Sequence, residues 1–593
     1  MKLDIAGLRE LYQRGVAKPS DVIAAIYDKI QAGPLQPVWI SLVPRETALA
    51  RARAIENESS ARKPLYGIPF AIKDNIDLAG LPTTAGCPAY AYAPEKSATV
   101  VQNLMNAGAL PIGKTNLDQF ATGLVGTRSP YGACSSVYDE RYISGGSSSG
   151  SAVAVASKLA SFSLGTDTAG SGRVPAAFNN LVGLKPTRGV FSTAGVVPAC
   201  RTLDCVSVFT QNCGDALAVW QAARGVDPED PYSRGVRAGA DAAPWLGGQF
   251  RFGVPAQSQL EFFGDDDAED LFQKAVQKLE ALGGEKVIID FSPFRAAAEL
   301  LYSGPWVAER LAAIQPFLDA RGDEMNPVVR EIISGARSYT AVKAFQSAYR
   351  LEVLRAKSMA EWARMDVMVL PTTGTTYTIE EVERDPIKLN SNLGYYTNFV
   401  NLLDLSAAAV PAGFRSNGLP FGITFMGQAF QDEALLRLAD VYHRAAANVS
   451  GSAVCSRAVP PGCVAVAVVG AHLSGQPLNS QLLERGARLM KTAKTAPGYR
   501  LFELPGQKPM KPGLLREPGF AGPGIEVEVW AVPEHQFGSF VGLVPPPLGI
   551  GSAELEGGEV VKSFVCEPFA LDGAKEITEL GGWRNYLSSR SPA

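Results

Sequence analysis

From Tyr66 onward the chain reads as short apolar runs set between windows of helical period: YGIPFAIKDNID, VVQNLMNAG, ALPIG, SAVAVASKLA, FSLGTD and VGLKPT follow one another. Short apolar runs bounded by Gly, Pro or Asp predict buried strands, and apolar positions three and four apart predict the helices between them. Strands alternating with helices predict an α/β architecture. Two helical patterns precede this region, Ile5 to Tyr12 and Asp21 to Ile30, the second with Ser20 as its N-cap after Pro19.

The alternation resumes in FRFGVPA, DLFQKAVQKLEALGG and KVIIDF, passes into helical sequence up to Met365, and continues with VMVLP, SAAAVPAGF, GLPFGITFMG and the helix EALLRLADVYHRAAA. A first domain over residues 1–449 is expected. Residues 450–462, SGSAVCSRAVPPG, are small, polar and rich in proline, as an interdomain connector is. Residues 463–593 are denser in strand-like runs (VAVAVVGAHL, YRLFELP, IEVEVWAV, FGSFVGLV, VVKSFVCEP) and predict a smaller α+β domain.

Composition narrows the function. Apolar residues make up 46% of the 593 and charged residues 19%, the balance of a folded chain with a large core. The formal charge of −4 lacks the basic excess that nucleic acid binding draws on, so a small-molecule partner is expected. The eight cysteines are scattered with no C-x-x-C pair and read as reduced thiols, and neither a signal peptide nor a membrane span is legible; a cytoplasmic location is expected. The only histidines are His443, His472 and His535, so a histidine-based triad within the first 442 residues is impossible.

Two local motifs fail on context. Gly108 to Thr115 fits G-x-x-x-x-G-K-[ST], but a helical pattern precedes Gly108 and strand-like residues fill the supposed loop. Gly146 to Gly150 fits the G-x-S-x-G elbow, which needs a downstream histidine base, and the nearest, His443, lies in a helical run before the connector. A third constellation is stronger. GGSSSGS (Gly145 to Ser151) and GTDTAGSGRVPAAF (Gly165 to Phe178) are small-residue turns flanked by apolar packing segments, and such turns can aim main-chain N–H groups at an anion. Each segment alone also reads as a flexible loop.

With GIPFAIKDN (Gly67 to Asn75) and GLKPT (Gly183 to Thr187), these segments closely resemble the amidase signature family, over about residues 66–448. The resemblance implies a large mixed β-sheet flanked by helices and a Ser-cisSer-Lys triad: Ser171 as nucleophile, Ser147 after a cis peptide as the bridging serine, and Lys73 as base. It also implies an oxyanion hole from the amides of Thr168, Ala169, Gly170 and Ser171. No metal or cofactor is implied. A lysine can act as base once desolvation makes it neutral, and Lys73 lies among Phe70, Ala71, Ile72 and Ile76. The alternative is a solvated lysine or one paired with Asp74.

Tyr302-Ser-Gly-Pro-Trp-Val-Ala-Glu-Arg310 suggests a carboxylate clamp, with Pro305 in the first turn of a helix, Arg310 further in and Tyr302 in the preceding loop. A surface pair of Glu309 and Arg310 is the alternative. This stretch, NLGYYTNFVNLLD (Asn392 to Asp404) and VVGAHLSGQPLN (Val468 to Asn479) look like the allophanate hydrolase branch of the family. That resemblance implies substrate binding by Tyr302 and Arg310, hydrolysis of allophanate to ammonia and carbon dioxide, and a C-terminal domain that promotes decarboxylation of N-carboxycarbamate, with His472 as participant or as a merely structural residue. A homodimer and a urea carboxylase partner are the expected associations. Rival readings are another amidase or an amidotransferase component of the family, and a silent scaffold on the same fold.

Overall fold

The computed structural model describes residues 2–32, 36–58, 63–236, 249–446, 462–556 and 558–590. The chain divides into two compact units, Met1–Ser452 and Ala453–Ala593. Of the connector expected at 450–462, all but Gly462 lies outside the described residues.

The first unit is built on one mixed sheet of eleven strands: β1 (Trp39–Leu42), β2 (Pro69–Lys73), β3 (Leu110–Thr115), β4 (Phe162–Thr166), β5 (Val182–Lys185), β6 (Val206–Thr210), β7 (Phe250–Pro255), β8 (Gly284–Ile289), β9 (Val367–Pro371), β10 (Ser406–Phe414) and β11 (Pro420–Gly427). Their spatial order is β1-β3-β2-β4-β6-β5-β10-β11-β9-β7-β8. Strand β2 lies parallel to both β3 and β4, so the C-terminal ends of all three open on the same edge. Strands β2 to β6 are buried throughout, which is why they read as continuous apolar runs rather than as alternation. Phe70, Ile72, Phe162 and Leu164 enter the main core on one face, with the Phe70 and Phe162 rings stacked at 5.1 Å. Ala71 faces the other way, against Val153 and Ala154 of the helix Ser149–Ala156. That helix is small-residue throughout because it lies close to the sheet: a Cβ on Gly150 would come within 2.6 Å of Asn116 N and Val38 O.

Two local expectations are corrected. The second helix runs Pro19–Gln31, with Pro19 in its first turn and the Asp21 carboxylate accepting the Lys18 N–H at 2.9 Å, so Ser20 is not the N-cap. Proline's fixed φ suits a first turn, and this moves the boundary forward. FGSFVGLV, read as a strand, lies mostly in the helix Glu534–Val541. Phe537 and Phe540 stand three apart and both pack on the core of the second unit, a helical period that outweighs the β-propensity of the run.

The second unit has a five-stranded sheet with Cys463–Val468 at its centre, antiparallel to Glu526–Pro533 and parallel to Val560–Cys566. Tyr499–Glu503, Pro512–Arg516 and Lys575–Glu576 form a separate three-stranded sheet. Its core gathers Val466, Val468, Leu501, Val527, Trp530 and Trp583. Among the described residues no helix is long and apolar enough to cross a membrane, and the described cysteines are all free, Cys455 lying outside them.

Candidate active site

Lys73 closes β2, and the strand carries it into the interior: Phe70, Ala71, Ile72 and Lys73 are all 0% exposed. Its Nζ donates to Ser147 Oγ and to Thr166 Oγ1, both at 2.7 Å. Ser147 Oγ lies 3.0 Å from Ser171 Oγ. One file of polar atoms therefore runs from the amine through two hydroxyls. Removal from water disfavours the ammonium and pulls the Lys73 pKa from its ordinary value down to about 7; Asp118, Asp167 and Asp204 oppose the shift, and Arg310 adds to it. Asp74 does not pair with Lys73. Its carboxylate lies 3.3 Å from Lys114 Nζ and accepts the Thr84 N–H at 2.9 Å.

Ser147 follows a cis Gly146–Ser147 peptide bond, and its carbonyl accepts the Asp118 N–H at 3.0 Å. Ser171 sits in the turn between β4 and the short helix Val174–Phe178. The buried carboxylate of Asp167 fixes that turn, accepting the Gly170 N–H at 2.8 Å, the Gly172 N–H at 3.1 Å and Arg173 Nε at 2.9 Å. Burial alone would push this carboxyl up, but Arg173 and the amides bring it below its ordinary value. Gly170 has φ +139°, and a Cβ there would meet Thr397 Oγ1 at 2.5 Å. Gly172 is also boxed in, with Ser207 Cβ 2.5 Å from where its own Cβ would stand.

The Gly170 N–H is already committed to Asp167, whereas among the described residues the amides of Thr168, Ala169 and Ser171 have no acceptor within the chain.

Tyr302 is not in a loop: it lies in the last turn of the helix Ser292–Ser303, and Pro305 caps the next helix, Trp306–Arg321. Phe294, Ala297, Ala298 and Leu301 keep a buried helical stripe going almost to Gly304, so the first helix runs further than the Gly-Pro pair suggests. Arg310 is 3% exposed, with its guanidinium carbon 5.7 Å from the Tyr302 ring centre. Its Nη1 donates to Thr122 Oγ1 at 3.0 Å and to the Ala121 carbonyl at 3.3 Å. Glu309 accepts the Thr202 hydroxyl at 2.8 Å, so the surface pair is not what these two residues form.

In the second unit the His472 ring stacks on Phe564 at 4.9 Å, and its Nε2 lies 2.9 Å from Gln481 Oε1. Burial lowers its pKa and favours the neutral ring. His443 lies in the helix Asp432–Ala446 and His535 is exposed on the helix Glu534–Val541. Among the described residues no group of three or more His, Cys, Asp or Glu side chains is arranged to hold a metal ion. Sequence reasoning missed Thr166 and Asp204. Thr166 carried a usable signal, as the polar residue ending a buried strand, FSLGT; Asp204 carried none.

The Amidase family model matches residues 21–436, and the model of the allophanate hydrolase C-terminal domain matches residues 464–588. The chain belongs to the amidase family. It is 44% identical over 594 residues to the urea amidolyase of Saccharomyces cerevisiae, covering 95% of this chain and 32% of that protein. The chain thus spans about a third of the length of the curated urea amidolyases it matches. A glutamyl-tRNA(Gln) amidotransferase component from a Picosynechococcus species is 32% identical, covering 75% of this chain and 98% of that protein. Among solved structures, the allophanate hydrolase of Kluyveromyces lactis superposes with a TM-score of 0.74 at 43% identity, covering 98% of each chain. The peptide amidase of Stenotrophomonas maltophilia gives 0.63 at 28% identity, covering 75% of this chain and 97% of that one. The sheet described above is the fold of this family, followed by the C-terminal unit that the second family model matches.

Proposed function

We propose that this chain hydrolyses allophanate, with Ser171 as nucleophile, Ser147 as proton bridge and Lys73 as base. The observation that carries the reading is the buried file Lys73 Nζ, Ser147 Oγ, Ser171 Oγ, with contacts of 2.7 and 3.0 Å, in a chain that also bears an allophanate hydrolase C-terminal domain. When Lys73 is neutral the hydroxyl protons turn toward it: Ser171 donates to Ser147, and Ser147 to Nζ. Ser171 Oγ then attacks the distal carbonyl of allophanate as its proton passes to Ser147 and the Ser147 proton to Lys73. The tetrahedral oxyanion takes the free amides of Thr168, Ala169 and Ser171; one such donor is typically worth about 3 to 4 kcal/mol of barrier. Collapse expels ammonia, which recovers the proton through the same file. Water then cleaves the acyl-serine to give N-carboxycarbamate. Arg310 and Tyr302 hold the substrate carboxylate in this reading, supported by the buried guanidinium lying 5.7 Å from the Tyr302 ring centre.

The C-terminal unit completes the reaction by promoting loss of carbon dioxide from that product. His472 is its candidate group, supported by a neutral ring held between Phe564 and Gln481. His472→Asn should leave ammonia release by the first unit intact and slow carbon dioxide release behind it; equal rates of the two gases would make His472 structural. A urea carboxylase is the proposed supplier of allophanate, in line with the urea amidolyases, of which the match to this whole chain covers about a third. A homodimer belongs to the same reading, and the exposed apolar row Val342, Phe345, Tyr349 and Val353 along one face of the helix Ala341–Trp362 supports it. Sedimentation of Phe345→Glu, dimeric or monomeric, tests that face.

Ammonia release from allophanate, glutamine and simple amides tests the substrate. A preference for glutamine would make this chain an amidotransferase component, and the absence of a Ser171 adduct after fluorophosphonate treatment would make it a scaffold.

A further inference from the structure

Asp204 lies in the connection between β5 and β6, and its carboxylate is buried. Its Oδ1 accepts the Thr168 hydroxyl at 2.5 Å and the Cys200 N–H at 3.2 Å, and its Oδ2 accepts the Ala199 N–H at 2.9 Å. All of these donors are neutral. A buried carboxylate satisfied by neutral donors alone is costly to keep, which asks for a reason.

The reason lies in what Thr168 precedes. The turn Asp167 to Ser171 carries the amides without an acceptor in the chain and ends on Ser171, and its two halves are fastened by different groups. Asp167 ties down the later half through Gly170, Gly172 and Arg173. The main chain of residue 167 is pinned to Cys205, with Asp167 N–H donating to Cys205 O at 2.8 Å and Cys205 N–H to Asp167 O at 3.3 Å. The Asp167 carbonyl, in the same peptide plane as the Thr168 N–H, also accepts Asn401 Nδ2 at 2.7 Å. Between these anchors the Thr168–Ala169 peptide plane has no hydrogen bond of its own among the described residues, and the nearest tether is the Thr168 hydroxyl, bonded to Asp204.

We propose that Asp204 is a positioning residue for the oxyanion side of the site, acting through the Thr168 hydroxyl to aim the amide of Ala169. This rests on the reading of Ser171 as nucleophile. The Asp204 charge, like those of Asp118 and Asp167, also favours the charged form of Lys73, against burial and Arg310. The Asp204 carboxylate therefore has two effects that a purely structural hydrogen bond would not combine: it orients an oxyanion donor and it favours the charged form of the base.

The test uses the full chain carrying Thr168→Val, Thr168→Ser or Asp204→Asn, read by the rate at which a fluorophosphonate labels Ser171 and by kcat and KM for allophanate. Thr168→Val keeps the shape and removes the hydroxyl; labelling and kcat should fall tenfold or more with KM within about twofold, and Thr168→Ser should restore most of the loss. Asp204→Asn should lower kcat and move the acid limb of the rate profile to lower pH, because a charge that stabilises the Lys73 ammonium is gone. Wild-type labelling by Thr168→Val, equal losses in the Val and Ser variants, or an unmoved acid limb in Asp204→Asn would each overturn the proposal. Labelling does not depend on the natural substrate, so a wild-type chain that ignores allophanate would sink the substrate reading and leave this comparison intact.

Discussion

Lys73 and Lys114 sit at the ends of neighbouring parallel strands, where Lys73 is in register with Thr115 and Ile72 with Lys114. Both are wholly buried. Lys114 has a carboxylate at 3.3 Å, Asp74, together with Thr83 Oγ1 at 3.0 Å. Lys73 has hydroxyls only. Burial lowers the pKa of both amines, but at Lys114 an adjacent anion works against the shift, whereas at Lys73 the anions that oppose it make no direct contact. The difference is one of partner, not depth: a buried lysine beside a carboxylate is half of an ion pair that braces the sheet edge, and one beside hydroxyls can give up its charge and act as a base.

The comparison breaks most visibly at the residues themselves. Lys73→Met should reduce kcat by three orders of magnitude or more, about what removal of a triad member costs elsewhere, and thermal stability should hold or rise because an unpaired buried amine is gone. Steady-state kinetics with a melting curve decide; activity within tenfold of wild type would remove Lys73 from the chemistry. Lys114→Met should do the reverse. Stranding the buried Asp74 should cost about 3 to 5 kcal/mol of stability, while the folded protein keeps most of its turnover. A variant that melts normally yet is inactive would move Lys114 into the site.

Arg310 extends the comparison, since its described partners are also neutral oxygens. Arg310→Ala should lower kcat/KM for allophanate by about one to two orders of magnitude, the range of a charge-assisted bond worth about 1.5 to 3 kcal/mol, and should change uncharged amides less. Equal losses on both substrates would make it a brace for the Ala121 carbonyl instead. The smallest effect is in pH. With the neutral amine as the working form in the proposed mechanism, kcat/KM should rise with pH through a limb centred at about 7, and no such limb should track Lys114. A profile flat across that region would remove the lysine from the proton path.

The sequence marked Lys73, Ser147 and Ser171 because each carries its context with it: a charged residue ending a run of apolar ones, and two serines within glycine turns that packing segments flank. Strands such as PFAIK and FSLGT were legible for a similar reason, since strands buried on both faces are mostly apolar and do not alternate with exposed polar positions. FGSFVGLV misled because a short apolar run fits either period, and only its contact with the core of the second unit decides between them. Tyr302 misled because Gly304 and Pro305 signal a break without saying how far the preceding helix runs.

What the chain order determined, then, was the inventory: one lysine ending an apolar run, two hydroxyls, no histidine within reach of them in sequence, and the glycines their turns require. The tertiary structure alone decided which of the wholly buried lysines met a carboxylate, which amides of the Asp167 to Ser171 turn stayed without an acceptor, and that Asp204 would border the site. Those outcomes depend on strand order and on approaches of a few ångströms between segments distant in sequence, and no local pattern encodes either.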